Sequence, residues 1–379
     1  MDLEERLALV RRNAAEVITE GDLRNLLETQ ERPRAYIGYE PSGLFSVGQL
    51  VTIRKVQDLS AAGFDVTVFL ADWHALINDK LGGSLERIRQ AGKVMVQTFG
   101  SLGTTGAIRF RWATDLVSQP TYWERVIRAA KAMSVARVKR AMTIMGRREE
   151  EAEVDAAKLF YPAMQVADIF ELPVDLAYAG LDQRRAHVLA REVAHHHHWP
   201  VPVALHTPLI SSLKGGGRMN MDEGGLVERK MSKSDPSSGI PIPASDALVE
   251  ERIRAAYCPA KEVEGNPVLE IAQHVVLPWR GEIPVERPAR AGGPPDVHDP
   301  GGAPGVLAGR GDPPHGPQGS GHPRPPGDPR SGEPLLPGAS GGAAIRCVAS
   351  AGKLGGAPAT ARGPLQSLLN TARPTRSGP

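Results

Sequence analysis

Cysteine is scarce in this 379-residue chain, and its scarcity excludes one class of protein. Cys258 and Cys347 are too few for the disulfide framework of a small secreted domain. No uninterrupted apolar run is long enough to cross a bilayer, and residues 1–12 lack the apolar core of a signal peptide. The sequence therefore predicts a cytoplasmic protein without a membrane segment.

The chain also lacks a large net charge of either sign. The formal net charge is +2, which excludes a protein that binds polyanions through a strong overall field. Local basic clusters, such as Arg137, Lys139 and Arg140, are candidate nucleic-acid surfaces. Partners must therefore be inferred from motifs.

Aromatic side chains are absent from residues 291–379, and glycine and proline account for 37 of these 89 positions. Such a segment buries too little apolar surface to offset the entropy lost on ordering. Residues 294–379 are therefore predicted to be a disordered tail, and the fold must come from residues 1–290.

Strand-like and helical segments alternate before the tail. AYIGY at 35–39 and FDVTVFLAD at 64–72 are typical of buried strands. The alternation predicts a doubly wound parallel sheet, a Rossmann-like α/β catalytic domain over residues 1–240, followed by a smaller helical domain at 241–293. The other predicted strands are near 107–112, 174–180 and 201–207, and the predicted helices are 2–18, 22–29, 47–62, 84–99, 121–145, 151–171, 182–194, 245–256 and 267–276, with a helical connective insertion at about 121–160.

The segment EPSGLFSVGQL at 40–50 is a glycine turn between a predicted strand and a predicted helix. In a doubly wound sheet such a turn lies at the carboxyl edge, where ligands bind. Backbone N–H groups of Val47 and Gly48 suit a phosphate, and Gly48 lets a flat ring approach the backbone. By itself the turn is equally typical of a plain strand-to-helix connection.

A second loop, ERKMSKSDPSSG at 228–239, places Lys230 and Lys233 beside the hydroxyls of Ser232 and Ser234. Two lysines three residues apart can neutralise charge that develops on a leaving pyrophosphate. With EPSG, this loop resembles a class I aminoacyl-tRNA synthetase. Further segments are similar to the tyrosyl-tRNA synthetases of the archaeal and eukaryotic type: AYIGYEPSG, FLADWHALIND, YPAMQVADI, GLDQRRAHVLARE and AYCPAKEVEGNPVLEIA.

The resemblance covers about residues 1–293 and implies a tyrosine–tRNA ligase. Tyrosine would be activated by ATP to tyrosyl-adenylate, and the tyrosyl group would then pass to tRNA(Tyr). The resemblance also implies Mg²⁺ accompanying ATP, no tightly bound cofactor, no protein metal site and a homodimer. Residues 241–293 would be an incomplete anticodon-binding domain. A tryptophanyl enzyme is the alternative within the same fold.

Site residues follow from the same resemblance. Tyr36 and Asp168 match the pair that hydrogen-bonds the substrate phenol, and Tyr161, Gln165 and Gln183 match residues that hold its ammonium group. Tyr161, Gln165 and Asp168 are spaced to share one helix face. The implied catalytic residues are Lys230, Lys233, Ser46 and Gln49, and the implied ATP-binding residues are Gly38, Glu40, Gly48, Lys230, Ser232, Lys233 and Ser234.

Several histidines are less decisive. His74 and His187 match family positions near the nucleotide and substrate, yet each is equally consistent with a buried core histidine. His195–His198 form a run that suggests a metal site. Consecutive histidines on a helix point in different directions, so we expect a solvated helix end there.

The sequence departs from the family in its first loop. Family members carry His-(Ile/Leu)-Gly-His where this chain has Ser46, Val47, Gly48 and Gln49. Serine and glutamine can donate hydrogen bonds, but neither carries positive charge. Loss of a charged or well-aligned donor to the phosphates would raise the activation barrier of the adenylation step by about 2–4 kcal/mol. A catalytically weakened paralogue that binds tyrosine or RNA without charging it is therefore a rival hypothesis.

The tail is the second departure. Residues 294–304, 311–319 and 322–330 permit codons whose reading one base out of register restores family-like segments, among them Glu-Ile-His-Pro-Met-Asp-Leu-Lys. We therefore hypothesise a one-base insertion in the codons for Pro294 and Pro295, with out-of-frame translation after it. A genuine flexible linker or interaction tail is the alternative. With the final helices missing, Val268, Leu269, Val275 and Val276 are expected to be exposed and solubility to be poor.

Overall fold

The computed structural model describes residues 1–104, 108–142, 155–215, 231, 235–259 and 262–283. The strands are β1 Glu16–Ile18, β2 Arg34–Tyr39, β3 Phe45–Ser46, β4 Asp65–Leu70, β5 Ile108–Trp112, β6 Leu176–Gly180, β7 Val203–Thr207 and β8 Pro241–Ile242. The helices are α1 Leu3–Arg11, α2 Glu20–Thr29, α3 Gln49–Ala61, α4 Asp72–Ile77, α5 Leu85–Ser101, α6 Ala113–Val117, α7 Pro120–Lys131, α8 Val135–Ala141, α9 Tyr161–Glu171, α10 Arg184–His197, α11 Asp246–Arg254, α12 Pro267–Ile271 and α13 Leu277–Arg280. None of the described helices is long and apolar enough to cross a membrane.

Six strands form the central sheet in the order β1-β7-β6-β2-β4-β5. All neighbouring pairs are parallel except β1 and β7. Strand β2 pairs with β4 on one side and with β6 on the other, so the strand order reverses next to β2. The doubly wound fold is thereby confirmed, and in folds of this kind ligands bind at the carboxyl ends of the strands where the order reverses, which here are β2 and β6.

The predicted helix at 2–18 was wrong in its second half. Helix α1 ends at Arg11, and Asn13 adopts a left-handed φ of 54° that turns the chain. Residues Glu16–Ile18 then form β1, in which Val17 lies opposite Leu205 of β7. The β-branched pair Val17 and Ile18 suits an edge strand, and its ladder with β7 outweighs the helical periodicity.

Helix α3 begins at Gln49, two residues later than predicted, because the residues before it belong to a small sheet. Phe45 lies opposite Ile242 in the antiparallel pair β3–β8. The backbone N–H of Val47 then donates to Ile240 O at 2.8 Å. This ladder attaches the glycine turn to the chain that follows the second loop.

The predicted helix at 121–145 is divided into α7 and α8. The hydroxyl of Ser134 accepts from the backbone N–H of Arg137, so Ser134 starts a new helix in the middle of the predicted one. Of the predicted helix at 151–171, the described part is a 3₁₀ turn at Ala156–Phe160 followed by α9.

The expectation of an exposed apolar face on the last helices was wrong. Val268, Val275 and Val276 are at most 3% exposed, and Leu269 is half-buried. They lie on α12 and on the π turn Ala272–Val276, which joins α12 to α13. The valines pack with α3 and α11, in a core of apolar residues between the glycine turn and the helical segment. The predicted poor solubility therefore loses its stated basis among the described residues.

Candidate active site

A buried phenol and a buried carboxylate mark the carboxyl edge of the sheet. Tyr36 lies in β2 and is 3% exposed, and Asp168 lies on α9 and is 2% exposed. Burial, together with the nearby charge of Asp168, raises the pKa of the Tyr36 hydroxyl. The phenol therefore stays protonated and can donate a hydrogen bond at neutral pH.

The carboxylate of Asp168 is held from two sides. The hydroxyl of Tyr122, on α7, donates to Asp168 Oδ1 at 2.9 Å. On the other oxygen, His74 Nε2 of α4 lies 3.1 Å from Oδ2. Sequence reasoning missed Tyr122, because it belongs to no motif of the resemblance.

The ring of His74 is enclosed by aromatic side chains. It stands edge-on to Tyr161 at 5.0 Å and to Phe69 at 6.3 Å between ring centroids. Burial lowers the pKa of His74, but the neighbouring carboxylates, Asp168 foremost, raise it by a larger amount. The pKa of His74 therefore lies above its ordinary value. His74 therefore belongs to the predicted tyrosine pocket.

The residues predicted to hold an ammonium group lie along α9 and the start of α10. Gln165 Nε2 donates to Gln183 Oε1 at 3.1 Å. This bond fixes the amide so that Gln165 Oε1 is buried without a hydrogen-bond partner in the part of the chain that the structure describes. A buried acceptor without a partner is costly, so a donor from a ligand would satisfy it.

Glu40 of the EPSG turn points toward the same pocket. Tyr161 donates its hydroxyl proton to Glu40 Oε1 at 2.6 Å. Asn78 Nδ2 donates to the same carboxylate at 3.1 Å, and Lys80 Nζ lies 3.5 Å from Oε2. The structure thus brings a predicted ATP-binding residue, Glu40, against a predicted tyrosine-binding residue, and sequence reasoning missed Asn78 and Lys80.

The end of β2 near this pocket is open. Gly38 is exposed although it lies in a central strand. An added Cβ at Gly38 would come within 3.7 Å of the Tyr36 ring, so a larger side chain would fill the space beside that phenol. The main chain of β2 is therefore accessible at Gly38.

Ser46 and Gln49 lock the turn where the family carries histidines. Gln49 Oε1 accepts from the backbone N–H of Ser46 at 2.6 Å and from its hydroxyl at 2.8 Å. Gly48 directly precedes α3, and an added Cβ there would lie 3.8 Å from Met231 Sδ. The amide nitrogen of Gln49 is therefore the one side-chain donor of this pair that makes no hydrogen bond among the described residues.

Met231 is the described residue of the KMSKS loop. It is 8% exposed, packs with Val47 and Ile210, and donates its backbone N–H to Ile210 O at 3.3 Å. The packing of Met231 with Val47 brings this residue of the second loop beside the first loop. The predicted site residues Lys230, Ser232, Lys233 and Ser234 lie outside the described residues.

His187 and His206 form a buried pair of rings. His187 and His206 stack with ring nitrogens 3.0 Å apart, and His206 Nδ1 lies 3.0 Å from Glu16 of β1. Burial lowers the pKa of His187 and of His206. His195–His198 end helix α10, and the described residues include no group of three that could hold a metal ion.

Comparison with known proteins gives consistent matches. A family model described as tRNA synthetases class I (W and Y) matches residues 28–275. The tyrosine–tRNA ligase of Aeropyrum pernix is 50% identical over 300 residues, 78% of this chain and 82% of the relative. A Saccharolobus islandicus tyrosine–tRNA ligase is 48% identical over 299 residues, 77% and 83% of the two chains.

Solved structures agree with these matches. The tyrosyl-tRNA synthetase of Aeropyrum pernix has a TM-score of 0.68 and 46% identity, covering 75% of this chain and 81% of its own. The Archaeoglobus fulgidus enzyme, complexed with L-tyrosine, has a TM-score of 0.69 and 40% identity, covering 77% and 86%.

Proposed function

This chain belongs to the tyrosyl-tRNA synthetases of class I, and we propose that it activates tyrosine with ATP and transfers the tyrosyl group to tRNA(Tyr). One observation carries the choice of tyrosine. Tyr36 and Asp168 are buried close enough for the charge of Asp168 to raise the pKa of the Tyr36 hydroxyl. Gln165 Oε1, which has no hydrogen-bond partner among the described residues, lies one turn before Asp168 on α9. A ligand with a phenol at one end and an ammonium group at the other satisfies both.

Substrate selection follows from these partners. The tyrosine phenol donates to Asp168 and accepts from Tyr36, while Gln165, Gln183 and Tyr161 receive the ammonium end. Phenylalanine has no hydroxyl, so it would forfeit the hydrogen bonds to Tyr36 and to Asp168, at a cost of about 1–3 kcal/mol for each. Tryptophan lacks a hydroxyl for this pair.

Activation is mainly a matter of position and charge. The carboxylate of bound tyrosine attacks the α-phosphate of ATP, and pyrophosphate leaves. Gly38 and Gly48 leave room for the nucleotide, the amide nitrogen of Gln49 donates to phosphate oxygens, Ser46 orients that amide, and Glu40 orders the turn. Lys230 and Lys233, with Ser232 and Ser234, stabilise the leaving pyrophosphate. Mg²⁺ would accompany ATP as part of the substrate and would shield its phosphates, a role that needs no protein metal site.

Transfer to tRNA depends on the C-terminal part. Residues 241–293 are proposed as the incomplete anticodon-binding domain, and residues 294–379 lie outside the described residues. We expect a chain that ends at residue 293 to keep its rate of activation, because the described pocket lies before that point. An unaltered charging rate for this shortened chain would support the out-of-frame origin of the tail, which sequencing across codons 294 and 295 tests directly.

The connective helices supply a surface for a second copy. Five of the large apolar side chains that are most exposed in the described residues lie between positions 123 and 160. Trp123 and Ile127 share one face of α7, and Ile127 is 59% exposed. We expect a homodimer through this face. Sedimentation should give a dimer that Ile127→Glu dissociates, while Val263→Glu, which changes a valine that is 51% exposed elsewhere, leaves it intact.

The decisive experiment is pyrophosphate exchange with tyrosine and, separately, with tryptophan. Exchange that depends on tyrosine supports the proposal, and exchange that depends on tryptophan overturns it. The Ser46–Gln49 hydrogen bonds favour one rival, a weakened paralogue, because they use up polar atoms that phosphates would need. Tyrosine binding by calorimetry without detectable exchange would establish that rival.

A further inference from the structure

Tyr122 lies outside every recognised motif, yet its hydroxyl reaches the centre of the pocket. The side chain is fully buried on α7, 46 positions before Asp168. Its oxygen is 2.9 Å from Asp168 Oδ1 and 3.5 Å from the backbone oxygen of Met164. Both neighbours are acceptors, so the Tyr122 hydroxyl can act only as a donor here.

This bond restricts what Asp168 can do. A carboxylate offers about four acceptor positions on two oxygens, and rotation about its last bond would exchange them. Tyr122 holds Oδ1, and His74 Nε2 lies beside Oδ2 at 3.1 Å. The carboxylate plane is thereby fixed relative to the Tyr36 phenol.

We propose that Tyr122 is a positioning residue for tyrosine specificity, because its hydroxyl orients the Asp168 carboxylate to accept the phenol proton of the substrate. The inference rests on the proposed function, in which the substrate phenol binds between Tyr36 and Asp168. Tyr122 itself does not touch the substrate. It contributes through the carboxylate, so its removal should affect tyrosine and leave phenylalanine unaffected.

Calorimetric titration of the full chain with tyrosine and with phenylalanine tests the proposal without requiring catalysis. Tyr122→Phe removes only the hydroxyl, and we expect the dissociation constant for tyrosine to rise about tenfold or more while that for phenylalanine changes less than twofold. Tyr178→Phe is the matched control. Tyr178 is equally buried and its hydroxyl pairs with Thr207 at 3.2 Å, so this variant should change neither constant by more than twofold.

The outcomes separate this inference from the proposed site. Equal weakening of both ligands in Tyr122→Phe, or no weakening of either, overturns the role of Tyr122, because a packing defect would not distinguish the two amino acids. Asp168→Asn and Tyr36→Phe test the seat of the phenol itself. If they too leave the preference for tyrosine unchanged, the seat is wrong; if they abolish it while Tyr122→Phe does not, only the inference about Tyr122 fails.

Discussion

Gln49 Oε1 accepts two hydrogen bonds from Ser46, one from the backbone N–H at 2.6 Å and one from the hydroxyl at 2.8 Å. The two residues that replace the family's histidines therefore bind each other. The serine proton is directed at the amide oxygen, so it is not offered to a phosphate. Of these two side chains, only the amide nitrogen of Gln49 keeps a donor for ATP, and that donor carries no charge.

Restoring the histidines should speed activation. We expect the double change Ser46→His and Gln49→His to raise the rate of tyrosine-dependent pyrophosphate exchange by about tenfold or more, because imidazole groups can donate to phosphate and carry charge. The KM for tyrosine should stay within threefold, since neither residue contacts the tyrosine pocket. An exchange rate that stays level or falls, in a variant that still binds tyrosine, would contradict this account of the loop.

Glu40 provides a test of which substrate its carboxylate serves. The hydrogen bond from Tyr161 at 2.6 Å predicts that Glu40→Gln disturbs the tyrosine pocket more than the nucleotide site. We expect the KM for tyrosine to rise about tenfold and the KM for ATP to change less than threefold. Exchange kinetics with each substrate varied in turn measure both. A larger rise in the KM for ATP than in the KM for tyrosine would show that Glu40 acts mainly in the nucleotide site.

Lys233 should act on the leaving pyrophosphate rather than on tyrosine. We expect Lys233→Ala to lower the maximal exchange rate by about 10²–10³-fold, as removal of one donor to a developing charge does. Its dissociation constant for tyrosine should be unchanged by calorimetry. Lys93→Ala removes a lysine from the exposed face of α5 and serves as the control for lost charge. A loss of tyrosine affinity in Lys233→Ala would place the lysine elsewhere.

The lowered pKa of His274 predicts that the protein loses stability against unfolding in acid. Its Nδ1 lies 2.7 Å from Asn13 Oδ1, and burial lowers the pKa of His274 to about 4. The unfolded chain binds a proton near pH 6.5, which the folded chain does not bind until about pH 4. The free energy of unfolding should therefore fall as the pH falls through this window, by about 3 kcal/mol from this residue, and stay level above it.

Urea unfolding at several pH values from 7.5 to 4.5 measures this effect. His274→Gln is the comparison, because it removes the titrating ring while every other group that titrates is retained. The stability difference between the two proteins should shrink with acidification. Parallel curves would show that His274 does not contribute.

Local sequence signals were enough for the main elements of the site. The glycine turn, the buried strands and the helical spacing of Tyr161, Gln165 and Asp168 each reflect a short stretch of chain. Tyr122 could not be found in this way, because its role depends on how α7 packs on α9 and its own neighbours resemble any amphipathic helix. Strand β1 was missed for a similar reason, since only its ladder with β7 distinguishes it from a helix end.

The domain boundaries and the roles assigned to site residues stay predictions. The fold class could be predicted because alternation of strands and helices repeats along the chain. The packing of Val275 and Val276 could not, because it depends on apolar partners in α3 and α11 that are distant in sequence.

Main-chain atoms attach the glycine turn to residues 240–242. Val47 N–H donates to Ile240 O, and β3 lies along β8, so the position of the turn depends little on the side chains of Ser46 and Gln49. Such a turn can carry serine and glutamine in place of histidines and keep its packing against Met231. The main-chain framework of the turn is therefore independent of the side chains that would contact the phosphates. Histidines can be introduced at positions 46 and 49 of this chain one at a time, and the effect of each on activation can be measured.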